Sequence, residues 1–145
     1  VAQDVVLVPT LNVTTGVIDH MAWLTPADRQ AVNGFFLEVV RAYHDRGGTI
    51  ALGNDFGQPG VSEHLPIAEM ELLLAAGLTP MEVVESGTRH AARVSGHSHE
   101  LGTLAPGQLA DLIIIDGDPL EDLRALEQVT VVIKDGEIAY LDGSI

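Results

Sequence analysis

The chain contains no cysteine. Disulfides, iron–sulfur clusters and thiolate zinc sites are therefore excluded, and any metal must be held by His, Asp or Glu. Basic residues are scarce, 7 Lys and Arg against 21 Asp and Glu, for a net charge of -14. That balance argues against nucleic acid or an anionic membrane as partner, since both demand a basic face. It fits solubility in a salt-rich or acid-tolerant setting and carries little information about chemistry. No apolar run approaches the ~20 residues of a membrane-spanning helix, and no low-complexity stretch suggests disorder. The opening Val1-Ala2-Gln3-Asp4 has neither Met nor a signal-peptide pattern. The expectation is a cytoplasmic protein, cut from something larger. What is present is ample apolar material, 46% of 145 residues, enough for one domain with a core.

Val5-Val6-Leu7-Val8 is a β-branched run closed by Pro9-Thr10, as expected of a strand buried on both faces. Thr25-Pro26-Ala27-Asp28 supplies a helix cap, a proline at the first helical position and an acid in the first turn. The helix is expected to reach Arg46, with Phe35, Phe36, Val39, Val40 and Tyr43 on its apolar side, and to stop at Gly47-Gly48. A second strand, Thr49 to Asp55, follows, so the order is strand–helix–strand and the pairing parallel. A loop from Phe56 to Leu65 carries glycines, Pro59 and His64. Pro66 opens a helix ending at Gly77, and Thr79-Pro80-Met81-Glu82 is a capping box for another, through Val94 to Gly96. Beyond it the texture changes. Leu112 to Ile115 reads as a strand, Leu120 to Leu126 as a short helical piece, and Lys134-Asp135-Gly136 as the turn of a hairpin. The fold class is α/β: residues 1–95 read as part of an α/β barrel and 96–145 as part of a small β domain. Two parallel strands cannot close a barrel, which needs ~250 residues, so the missing part is expected upstream.

Three segments, taken in order, resemble a known family: Gly53-Asn54-Asp55 at a strand end, Ala75-Ala76-Gly77-Leu78-Thr79-Pro80-Met81-Glu82, and Gly102-Thr103-Leu104-Ala105-Pro106-Gly107-Gln108-Leu109-Ala110-Asp111-Leu112. With Thr88-Arg89-His90-Ala91-Ala92 and Asp116-Gly117-Asp118-Pro119, they are similar to the C-terminal portion of metal-dependent amidohydrolases, nearest the imidazolonepropionase-like and prolidase-like branch. The resemblance covers nearly the whole chain. It departs at Asn54, where the family commonly has Thr or Ser. It implies the C-terminal part of a (β/α)8 TIM barrel (strands seven and eight with their helices, 1–95), followed by part of a β-sandwich domain (96–145). It also implies a divalent metal, zinc first, as one or two ions. The histidines and other ligands of that site belong to strands one to six, so the partner expected is an N-terminal segment or chain carrying them. A small-molecule substrate and a homo-oligomeric assembled enzyme are expected as well.

Asp55 is the residue on which the chemistry rests. By the family pattern it is both a metal ligand and the catalytic proton shuttle, accepting a proton from the activated water and returning it to the leaving nitrogen. From the residues alone, a turn cap remains the other reading. His64, on the loop after the strand, and His20, after the first strand on a loop at the same face, are candidates for substrate binding. Phe56 either packs on substrate or plugs the barrel top, and Trp23 reads as a lid or packing residue. His97-Ser98-His99 has the spacing of a metal pair but no strand before it, and reads as an exposed linker. His44 and His90 read as structural helix residues. Gly102 to Asp111 reads as architectural, with Gly107 permitting positive φ and Asp111 bonding turn amides. The function expected is hydrolysis of a C–N bond in an amide, cyclic amide or dipeptide. The alternatives are a non-catalytic, partner-binding fragment of the same family and a truncated product.

Overall fold

The computed structural model describes residues 5–58, 61 and 64–143. Val1 to Asp4 and the Pro59 part of the loop after Asp55 lie outside them. Two short strands, β1 (Val6–Leu7) and β2 (Thr49–Ile50), pair in parallel with Val6 opposite Thr49 and Leu7 opposite Ile50. The extended chain runs past β2. Ala51 N–H donates to the Leu7 carbonyl at 2.9 Å, and Leu52 N–H to the Ser86 carbonyl at 3.0 Å. Gly53 then passes the Val8 side chain, just beyond β1, so closely that a Cβ there would meet Val8 Cγ1 at 2.5 Å. Only a residue without a Cβ lets the chain pass that side chain at this distance.

Helix α1 (Leu11–Asp19) fills a stretch in which the sequence reading has only a loop. Asn-Val-Thr-Thr-Gly is a weak local helix former, and Thr10 at the N-cap makes no side-chain cap. The cap comes instead from Glu69, 58 residues away, which accepts from Leu11 N–H at 2.9 Å. Helix α2 (Pro26–His44) starts as its cap signals dictate, with Thr25 and Asp28 bonded reciprocally. Its apolar side divides. Val40 is buried at 2%, whereas Phe35 and Val39 are 60% and 45% exposed, so the five-residue face expected from the sequence meets the core only in part.

Helix α3 (Ile67–Ala75) lays Ile67, Met70 and Leu73 into the core against Val40, Ile50 and Val83. The single helix expected from Thr79 to Val94 is two, α4 (Pro80–Gly87) and α5 (Arg89–Val94). They break at Thr88, φ -117° and ψ -94°. The break leaves the buried Ser86 carbonyl available to Leu52 and brings Leu52 against Gly87, so the strand end and the helix end satisfy each other.

A three-stranded antiparallel sheet, ordered β3 (Leu112–Ile115), β4 (Val129–Lys134), β5 (Glu137–Leu141), follows. Its hairpin turns at Asp135 (φ 53°) and Gly136 (φ 81°), as the Asp-Gly pair demands. Asp111 ties that turn down, accepting Asp135 N–H at 2.7 Å and the Lys134 ammonium at 2.6 Å. Gly107 has φ 92°. Leu123, from a short 3-10 segment (Leu123–Glu127), is 5% exposed and joins the same core as α3. Among the described residues no helix is long and apolar enough to cross a membrane.

Candidate active site

Both parallel strands deliver their carboxyl ends to one face, where α/β folds concentrate functional side chains. Asp55 lies five residues beyond Ile50 on that face, exposed, in the left-handed region at φ 51°. Asp and Asn tolerate this conformation far better than β-branched residues do. Its carbonyl accepts Gln58 N–H at 3.4 Å, which starts a tight turn. The preceding Asn54 and the following His64 come together in a hollow of about 270 Å³, with Asn12 from the start of α1 on a further wall. Arg124 and Glu71 complete it, joined by an ion pair of 2.6 Å. A cavity of that size approaches the range of small-molecule sites.

The structure therefore brings His64 beside the residue preceding Asp55. His20 is placed differently. The sequence reading puts it on a loop at the strand mouth, but the intervening α1 carries it to the helix's far end. There it is the C-terminal cap residue, its exposed ring within 2.7 Å of the Gly16 carbonyl through Nδ1. Phe56 is 64% and Trp23 77% exposed.

Two groups that the sequence reading passes over matter as much. Glu69 is fully buried, 0% exposed, and its second oxygen accepts Asn12 N–H at 2.6 Å. Burial pushes its carboxyl above the ordinary glutamate range, against the lowering effect of the two amides. The residue so gripped, Asn12, also lines the hollow. A signal exists in the sequence: Glu69 falls at i, with Leu73 at i+4 and Ala76 at i+7, a lone acid on the buried stripe.

The other histidines are accounted for locally. His44 Nε2 meets Glu82 Oε1 at 3.0 Å, and His90 Nδ1 meets the Ile50 carbonyl at 2.8 Å. Both line a hollow of about 470 Å³ at the amino end of β2, away from Asp55. His97 and His99 are exposed, and His97 Nδ1 is 2.7 Å from Glu100 Oε1.

Among the described residues no three His, Asp or Glu side chains stand close enough to hold a metal ion. A zinc site takes about four ligands, of which Asp55 could supply one. Its exposed carboxylate is the right kind of donor for that.

The amidohydrolase family profile matches residues 6–139. The chain is 32% identical over 106 residues to an imidazolonepropionase of Geobacillus kaustophilus, a match covering 70% of this chain and 25% of that protein. Two solved structures are similar. One is a putative prolidase from Bifidobacterium longum, with TM-score 0.80, 32% identity, 95% of this chain and 36% of that one. The other is a Xaa-Pro dipeptidase with methionine bound in its active site, with TM-score 0.72, 29% identity, 92% of this chain and 34% of that one. The chain thus spans a quarter to about a third of the length of these proteins.

Proposed function

This chain belongs to the amidohydrolase family, and we propose that it is the C-terminal part of a metal-dependent hydrolase of C–N bonds, acting on an amide, a cyclic amide or a dipeptide. In this reading residues 1–95 complete a (β/α)8 barrel and 96–145 a β-sandwich, with an upstream segment or chain supplying strands one to six. The observation that carries it is the position of Asp55. It is an exposed carboxylate just past the carboxyl end of β2, within a family match that runs almost the length of the chain. The relatives named for imidazolone and dipeptide substrates support the bond type.

Asp55 would hold the metal, zinc first, as one ligand of a set whose other members come from the upstream strands. When bound, such an ion lowers the pKa of water towards about 7 and polarises a carbonyl. The chain's own contribution is proton handling. The Asp55 carboxylate takes a proton as water adds to the carbonyl carbon and gives it to the nitrogen as the C–N bond breaks, so that it returns to its starting state. His64 and Asn54, on the adjoining hollow, orient the substrate. His20, at the far end of α1, is a weaker candidate for that role.

The test is reconstitution with the upstream segment, followed by zinc analysis and an assay against Xaa-Pro dipeptides and cyclic amides. Asp55→Asn is expected to lower turnover at least 100-fold with folding retained. Unchanged turnover overturns the reading.

A second reading, a partner-binding half without catalysis, is favoured by the apolar groove of about 940 Å³ between α4, α5 and β3, beside which Leu104 stands 78% exposed. An assembled protein that forms stably, binds zinc and hydrolyses nothing would decide for it.

A further inference from the structure

Glu69 stands out because a fully buried carboxylate spends both oxygens on two backbone amides from a distant part of the chain. Burying a carboxylate is unfavourable unless hydrogen bonds replace its hydration, and a residue retained there needs a reason. Its partners supply one. Leu11 and Asn12 are the first two residues of α1, directly after Thr10. Thr10 itself is left-handed, φ 47° and ψ 47°, a conformation that β-branched residues avoid. That strained residue turns the two N–H groups towards α3, and the Glu69 carboxylate is what meets them.

The turn so held touches the strand that leads to Asp55. Val8 Cγ1 lies 2.5 Å and Thr10 Cγ2 4.0 Å from where a Cβ on Gly53 would be. The Asn12 side chain, carried by the same turn, shares the hollow with Asn54 and His64. The carboxylate therefore joins the turn after β1 to the first turn of α3, and the Gly53 backbone packs beside the residues that lead into that turn.

We propose that Glu69 is a positioning residue of the active site. It straps the Thr10–Asn12 turn to α3, and so fixes the Gly53–Asp55 backbone and the Asn12 wall of the hollow in working register. The proposal rests on the hydrolase reading above. Gln has the same length and volume as Glu but offers one acceptor oxygen, and turns an NH2 towards a backbone N–H. Glu69→Gln thus cuts the strap while leaving the core filled.

The experiment uses the reconstituted full-length protein and a Xaa-Pro dipeptide as probe, with Asp55→Asn as reference. For Glu69→Gln the expected result is a kcat at least tenfold lower, KM within twofold and zinc content unchanged. Deuterium exchange is expected to rise at least tenfold in peptides covering 10–14 and 53–58, but not in those covering α4 and α5. A role confined to stability would lower yield or midpoint and leave kcat per folded molecule alone. If Asp55→Asn abolishes turnover while Glu69→Gln keeps kcat within twofold, the strap is refuted and the hydrolase reading stands. If the wild type hydrolyses nothing, exchange at 53–58 in Glu69→Gln still decides: acceleration supports the strap, no change refutes it. Should Glu69→Gln fail to fold, exchange in the wild type decides, and rapid exchange of the Leu11 and Asn12 amides refutes the proposal.

Discussion

Glu82 and Glu69 are both glutamates on helix starts, yet their environments move them in opposite directions. Glu82 accepts the Thr79 N–H at 2.8 Å, the Thr79 hydroxyl and a contact from His44, and these hold its carboxyl down at about 2 against an ordinary 4.5. A depressed carboxylate contributes stability that is complete above 4.5 and disappears as pH falls towards 2. Chemical denaturation of Glu82→Gln is therefore expected to show a loss at pH 7 that vanishes near pH 2. Because Glu82 is partly exposed, solvent keeps that loss small. Thr79→Ala removes the other half of the cap and is expected to cost about 1 kcal/mol. Glu69 carries the reverse sign. Its folded-state pKa lies above 4.5 because it is buried, so between those values the folded state holds the extra proton. The stability it contributes is complete below 4.5 and falls as pH rises through its folded pKa. The advantage of wild type over Glu69→Gln should thus shrink with rising pH, and a growing advantage would show that burial is not what dominates this carboxylate.

At the scale of elements, what could be read from the sequence was what is decided locally. The Thr25 and Thr79 caps, the Asp135-Gly136 turn and the strands on either side of it stand where their residues place them. Helix α1 was not legible, since its N-terminal cap is a side chain 58 residues away. The break at Thr88 was not legible either, since it serves a strand end that local propensity does not see. Gly53 belongs with these tertiary effects. Gly53→Ala drives a Cβ into Val8 and is expected to destabilise by about 1–3 kcal/mol, the usual cost of overpacking. Thermal unfolding would measure it, and the shift should shrink when Val8→Ala makes room. Asp111 tests the sheet in the same way. Backbone bonding from Asp135 and the Lys134 ammonium lowers its pKa, and Asp111→Ala is expected to free the hairpin turn, with faster amide exchange at Asp135 as the local signature.

For the molecule as a whole, the place of Asp55 just past a strand end could be read from sequence, because an apolar run followed by an acid is a short, contiguous pattern. The hollow beside it could not, since Asn12, Asn54, His64 and Arg124 come from four separate stretches that only folding unites. The same distinction governs the outer surface. Leu104, Ile138 and Tyr140 are 78%, 65% and 49% exposed, the first in the irregular segment that leads to the sheet and the other two in β5. Apolar area of this kind is worth about 25 cal/mol per Å² once covered, and contiguous patches of it mark contact surfaces. If the groove between α4, α5 and β3 receives the upstream segment, a charge at its rim should weaken assembly without disturbing the chain's own core, which lies on the other side of α4 around Val83. Leu104→Asp is therefore expected to leave the thermal midpoint of the isolated chain unchanged and to weaken association with the upstream segment at least tenfold, about 1.4 kcal/mol. Titration of the two parts by calorimetry reads this directly. Equal affinity for wild type and Leu104→Asp would mean that the upstream segment docks elsewhere and that the groove faces water in the assembled protein.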